Sequence, residues 1–232
     1  MRISEQVAFV TGANRGFGRH LALELVSRGA KVYAAARKPE SIDIPGVIPV
    51  KLDITNPQEV AEAAVTAKDV TILINNAGVS TGASLLDGDL DHIHLEFNTH
   101  FFGTLSMIRS FAPILANNGG GSILNILSAL SWLSMGSIGA YSAAKAAEWA
   151  LTNDLRISLY PQKIRITGLH VGYMETDMTS SVNAPKSNPA EIAKIAIDGI
   201  ESGSLEIIAD DTSRMIQSAL AGGVAAIYPN LA

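Results

Sequence analysis

The sequence predicts an α/β protein built on a doubly wound parallel sheet of about seven strands with helices on both faces. Three observations predict it. Short runs rich in Val, Ile and Ala, apolar on both faces, alternate with longer segments of helical periodicity, as a parallel sheet covered on both sides requires. A glycine-rich stretch falls where the first strand gives way to the first helix. Apolar residues make up 47% of the chain and charged residues only 17%, ample for a buried core and unlike a disordered segment.

Taken in order, "QVAFVTG" (6–12) is the first strand, and 17–28 a helix with Leu21 and Leu25 on one face. "KVYAAA" (31–36), "VIPVKLD" (47–53) and "VTILINN" (70–76) are the next three strands. Between the last two, 57–67 forms a helix with Pro57 in its first turn and Asn56 as its cap. A long helical region covers about 90–117, followed by a strand at 122–128, a helix over 139–160 and a strand at 163–171. A helix at 189–202 and a strand at 205–209 follow, with a further helix after them. No repeat or linker-like shift in composition divides the chain, so residues 1–232 read as a single domain. Residues 172–188 carry no periodic pattern, and a loop of that length suits a lid over a substrate. Right-handed crossovers place ligands at the carboxyl ends of the strands.

The formal net charge of −5 argues against a nucleic-acid partner, which favours a basic face. Cysteine is absent, which rules out disulfides, thiolate nucleophiles and Cys-ligated metals and suits a reducing compartment. The N-terminus lacks the long apolar run of a signal peptide, and no stretch is apolar enough to span a membrane. The expected location is therefore cytoplasmic. His92 and His94 lie two apart and cannot share a helix face, while His20, His100 and His170 are scattered, so no metal site is expected.

"TGANRGFG" (11–18) sets Gly12, Gly16 and Gly18 at the first strand–helix turn, with Asn14, Arg15 and Phe17 between them. Such a turn lets a pyrophosphate approach exposed N–H groups at a helix N-terminus. The spacing is Gly-x3-Gly-x-Gly, not the commoner Gly-x-Gly-x2-Gly. The second strand ends in "AAARK" with no acid after it, and an acid there would repel a 2′-phosphate. Arg37, with Arg15 from the other side, suits that phosphate, so NADP(H) is expected over NAD(H). Asp53, just past the third strand, is placed either to reach the adenine or to serve as a turn residue or helix-capping neighbour.

"TGANRGFG", "NNAG" (75–78), Asn98, Ser128 and "YSAAK" (141–145) occur in the order and approximate spacing of the short-chain dehydrogenase/reductase family. The chain resembles the short, single-domain branch of that family, a Rossmann-type fold, over nearly its whole length. The resemblance implies that Tyr141 is the catalytic acid/base. A free phenol ionises near pH ~10, so it needs a positive neighbour, and Lys145 lies one helical turn later on the same face. It further implies that Lys145 holds the nicotinamide ribose, Ser128 holds the substrate oxygen, and Asn98 relays protons through water to the lysine. Asn75, Ala77 and Gly78 would lie along the cofactor, one asparagine of the motif bracing the strands instead. Where the family has Pro-Gly and then a carboxamide-binding threonine, this chain has Val171-Gly172 and Thr176.

The resulting expectation is an NADP(H)-dependent alcohol dehydrogenase or carbonyl reductase acting on a small carbonyl or alcohol, with Leu130, Trp132, Tyr173 and Met178 lining an apolar substrate pocket. Surplus apolar positions at 104–115 and 146–159 suggest a homodimer or homotetramer. Two other readings compete. A 3-oxoacyl-carrier-protein reductase would want a basic entrance, which this acidic chain lacks. A catalytically silent NADP(H)-binding sensor would commonly have lost the serine, tyrosine or lysine, and all three are present.

Overall fold

The computed structural model describes residues 1–231. Seven strands, β1 (Val7–Thr11), β2 (Lys31–Ala36), β3 (Val47–Lys51), β4 (Ile72–Asn75), β5 (Gly121–Ile126), β6 (Ile164–His170) and β7 (Glu206–Ile208), form one parallel sheet ordered β3-β2-β1-β4-β5-β6-β7. The order reverses between β1 and β4, with Ala8 opposite Ile72 and Ile74 opposite Val10. That is the switch point at which such sheets open a ligand crevice.

Side chains alternate across the sheet and seed two cores. On one face Val10, Val32, Ile72 and Leu169 meet Leu21 and Leu25 of α1 (Gly16–Ser27) and Ile197 of α6 (Pro189–Ser202). On the other, Phe9, Val50, Leu73 and Ile166 meet Val60 of α2 (Pro57–Thr66), Phe111 of α4 (Thr104–Asn117) and Leu151 of α5 (Gly139–Leu159). Phe9 and Phe111 pack at a centroid separation of 4.8 Å. Each such fully buried side chain contributes about 1.5–3 kcal/mol. β3 departs from the two-faced pattern, with Ile48, Pro49 and Lys51 exposed. It is the sheet's edge, where a proline interrupts no ladder.

The caps follow the sequence. Asn56 accepts from the backbone N–H groups of Gln58 and Glu59, and Asn188 accepts from Ala190 ahead of Pro189. The expected helical region at 90–117 is helical from Leu90 to Asn117, with a change of winding inside it. α3 (Leu90–Phe97) passes into a π-helical turn, Asn98–Gly103, before α4 begins. After β7 come α7 (Asp211–Ala219), the short α8 (Gly223–Ile227) and a 3₁₀ turn at Pro229–Leu231.

Candidate active site

The glycine turn is built to take an anion. Gly16 has φ of +53°, a conformation other residues adopt at a cost. A Cβ on Gly18 would lie 2.2 Å from the Gly12 carbonyl oxygen and 2.3 Å from Asn76 Nδ2, so helix and turn can close up only without one. Arg15, at the N-cap of α1, makes no side-chain capping bond, which leaves the first N–H groups of the helix available to a ligand. Asn76 holds the turn from beneath, donating from Nδ2 to the carbonyls of Thr11 and Gly12, while its own N–H reaches Thr11 Oγ1 at 2.9 Å. A pyrophosphate fits this cradle.

The surrounding residues sort by position. Arg37 is exposed just beyond β2, with exposed Lys38 next to it. Arg15 turns the other way, to Asp177 Oδ2 at 3.3 Å, and Asn14 donates to Ser41 Oγ at 3.1 Å. Asp53 uses Oδ1 within its own turn, accepting from the Thr55 N–H and hydroxyl. Asn75 does not face the crevice. Its Nδ2 donates to Asn125 Oδ1 at 2.8 Å, and Asn125 donates to Thr152 Oγ1 at 2.9 Å. That side chain braces β4 to β5 and α5, and Ala77 and Gly78 carry the chain past it toward the site. Thr176 comes beside the glycine turn, its Cβ 3.7 Å from where a Gly16 Cβ would stand, and the Gly172 N–H donates to Asp210 Oδ2 at 2.6 Å.

Ser128 follows β5 and caps a short 3₁₀ turn, its Oγ accepting from the Leu130 N–H at 3.1 Å while Ser131 Oγ accepts from the Ser128 N–H. Tyr141 and Lys145 rise one turn apart from the start of α5. Lys145 is buried, donating to the Ile126 carbonyl at 2.7 Å and pairing with Glu148 Oε2 at 2.7 Å. Burial holds the Tyr141 phenol above its ordinary pKa, the carboxylates Glu148 and Glu96 adding to it and Lys145 and Ser128 opposing it. Burial alone would lower Lys145, but Glu148, Tyr141 and Glu96 outweigh it and raise its pKa. At neutral pH the pair is a proton-bearing phenol beside an ammonium, arranged to donate.

Asn98 is not brought to this group. It is exposed beside Ile54, Pro57, Leu95 and Phe102. The residue that faces Tyr141 is His100, two positions on and so on the opposite side of the helix. Its ring meets the tyrosine edge-on at 5.2 Å. His100, Glu96 and Glu148 are all at most 2% exposed, and none of these three was marked by sequence spacing. Glu148, three residues past Lys145, was the available signal. The π-helical turn is a second one in the structure, since such turns gather at functional sites.

Behind Ser128, His170 donates from Nδ1 to the Ser128 carbonyl at 3.1 Å and stacks on Trp132 at 3.7 Å. Trp132 in turn meets Trp149 edge-on, so its ring serves as backing for the serine. Leu130 is half-buried next to Ser128, Tyr173 reaches toward Met135, and Met178 is exposed on the loop. Tyr228, from the C-terminal segment, accepts from the Ser134 N–H at 2.7 Å. Burial pushes the pKa of His170 down from 6.5 to about 4. The unfolded chain would take up this proton below about pH 6.5, the native state only near 4, so stability falls as pH falls across that window. The loss is about 3 kcal/mol for this one residue. Denaturant midpoints from pH 7 to 4.5 should fall less steeply in His170→Gln, and an unchanged slope would assign the acid sensitivity to other groups.

Among the described residues no cluster of three or more His, Asp or Glu has metal-binding geometry, and no helix is long and apolar enough to cross a membrane. The same architecture recurs in a short chain dehydrogenase from Burkholderia cenocepacia solved in complex with NADP. That protein is 39% identical with a TM-score of 0.95, over 100% of this chain and 99% of the other. An NADPH-dependent 1-acyldihydroxyacetone phosphate reductase from Schizosaccharomyces pombe is 32% identical across 76% of this chain and 62% of its own. A 3-ketodihydrosphingosine reductase from Bacteroides thetaiotaomicron is 31% identical across 77% of this chain and 67% of its own. The short chain dehydrogenase model matches residues 6–187, and the chain belongs to that family of oxidoreductases.

Proposed function

We propose that the protein interconverts a ketone or aldehyde and an alcohol, using NADP(H) in preference to NAD(H). The observation that carries this reading is Ser128, just past β5, set against Tyr141 with Lys145 one helical turn on, at the same carboxyl edge of the sheet as the glycine turn after β1. NADPH, when bound, supplies the hydride. The chain supplies alignment and a proton. The backbone N–H groups at the start of α1 would hold the pyrophosphate, Arg37 the 2′-phosphate, Lys145 the nicotinamide ribose, and Gly172 and Thr176 the carboxamide side. Ser128 would hold the substrate oxygen, and Tyr141 would hand it the proton that the phenol's raised pKa keeps in place at neutral pH. A ketone substrate accords with two relatives that are reductases by name, one of them NADPH-dependent.

The direct test is an NADPH-oxidation screen across aromatic ketones, aldehydes, ketoesters and quinones with chiral analysis of products. Tight NADPH binding with no turnover on any of them would favour a sensor instead. Arg37→Asp should reverse the preference toward NADH, by about tenfold or more for a lost charge-assisted pair. An unchanged NADPH/NADH ratio of kcat/KM would remove Arg37 from the phosphate site. The exposed Leu95, Phe102, Ile157 and Tyr160 support self-association through the helices around α4 and α5, which light scattering would measure.

A further inference from the structure

Glu148 is a carboxylate buried beside Lys145, and the reductase reading gives it no task. It is 2% exposed, a setting in which an ionised group persists only when its partners satisfy it. Both of its oxygens are satisfied. Oε2 pairs with Lys145 Nζ at 2.7 Å, and Oε1 accepts from the Thr104 hydroxyl of α4 at 3.1 Å. Tyr141, Lys145 and Glu148 stand at i, i+4 and i+7 on α5, so all three lie along one face of the helix. The titratable neighbours from other elements are His100 and Glu96. His100 lies in the π-helical turn, its Nδ1 3.9 Å from Glu148 Oε2, and Glu96 of α3 acts on both Tyr141 and Lys145.

An ammonium has three N–H donors. Lys145 gives one to Glu148 and one to the Ile126 carbonyl, 2.7 Å away. A single donor is left for the nicotinamide ribose, and the other two fix where it points. The carboxylate also acts through its charge. Lys145 Nζ sits 5.8 Å from the centre of the Tyr141 ring, near enough for a positive charge to draw the phenol toward the phenolate. A carboxylate in contact with that ammonium opposes the pull: Lys145 lowers the tyrosine's pKa and Glu148 raises it.

We propose that Glu148 is a positioning residue that fixes the Lys145 ammonium beside Tyr141 with one N–H free for the cofactor, and tempers the pull of that ammonium on the phenol. It rests on the reductase reading for its reaction, in which Tyr141 gives a proton to the substrate oxygen during reduction and takes one back during oxidation. Glu148 acts through Lys145 and not on the substrate.

Two substitutions separate charge from aim, read with the best carbonyl from the screen and its alcohol. Glu148→Gln removes the charge and keeps an oxygen that can accept from Nζ. With the ammonium unopposed, the phenol gives up its proton at lower pH. The limb of the pH profile for alcohol oxidation, which requires the phenolate, should therefore move down by about one unit or more, the scale set by a charge within contact distance. The limb for ketone reduction, which requires the phenol, should move down with it, while NADPH affinity stays within about twofold because the amide still orients the lysine. Glu148→Asp keeps the charge but withdraws it by one methylene. Its limbs should move down by less, and its NADPH affinity should fall about fivefold as the lysine loses its aim. Glu148→Asp also carries the test should Glu148→Gln fail to fold. Ultraviolet titration of each protein against its Tyr141→Phe counterpart reads the same phenol without turnover, and phenolate should form at lower pH in Glu148→Gln. Limbs that stay in place or move up, even with a lowered melting temperature, would make the carboxylate a purely structural partner and overturn the proposal. Failure of the wild-type protein to turn over any carbonyl or alcohol would sink the reductase reading alone, and the ultraviolet titration would still decide the influence of Glu148 on the phenol.

Discussion

Tyr141→Phe is expected to lower kcat by about 10²–10⁴-fold while NADPH binding changes little, the loss typical of removing a positioned general acid. Only the hydroxyl is removed. The ring remains to meet His100 edge-on at 5.2 Å, and Lys145 keeps both of its buried partners, so the backbone of α5 has no reason to move. Stopped-flow turnover beside a fluorescence titration of NADPH separates the two effects. Retention of near-normal kcat would mean that another group supplies the proton. A parallel loss of NADPH affinity would mean that the hydroxyl holds the cofactor and does not chiefly act on the substrate.

Lys145→Met should be the most destabilising change at the site. The buried ammonium pairs with the buried Glu148 carboxylate and donates to the Ile126 carbonyl. Methionine keeps much of the stem's volume but leaves Glu148 without its counter-charge. Removing one partner of a buried pair costs about 3–5 kcal/mol, a large share of the 5–15 kcal/mol that holds an ordinary domain together. Pairing the change with Glu148→Gln should recover much of the loss, because a neutral amide carries no charge to strand. Urea midpoints of the two single variants and the double variant form the required cycle. A single variant as stable as the wild type would show that the carboxylates neutralise themselves by other means.

The strands were legible because each is a short, largely apolar run set between stretches of helical periodicity, and even the edge position of β3 is visible afterwards in Pro49. The strand–helix glycine turn and the placement of Tyr141 one helical turn before Lys145 were legible because both depend on residues close together in the sequence. Asn98 misled because it has the right residue type near the right spacing. The face a helical residue presents changes completely within two positions, and the π-helical turn that begins at Asn98 alters the phase that ordinary periodicity assumes. Glu96, His100 and Glu148 come from two helices that meet only in the fold, and charged residues on helices ordinarily read as solvent-facing. Asn75 was half legible: its motif marked the crevice, but its side chain turned out to tie strands together.

Asp210 links two parts of the molecule that look independent along the chain. One oxygen accepts from the Ser213 N–H and caps α7, and the other accepts from the Gly172 N–H at the root of the 172–188 loop. When the loop moves at that end, the Asp210 carboxylate that caps α7 loses one of the two bonds that orient it. Motion of the 172–188 loop and fraying of the start of α7 are therefore coupled through one side chain. Amide exchange in the first turn of α7 should rise in any variant that frees the loop at Gly172.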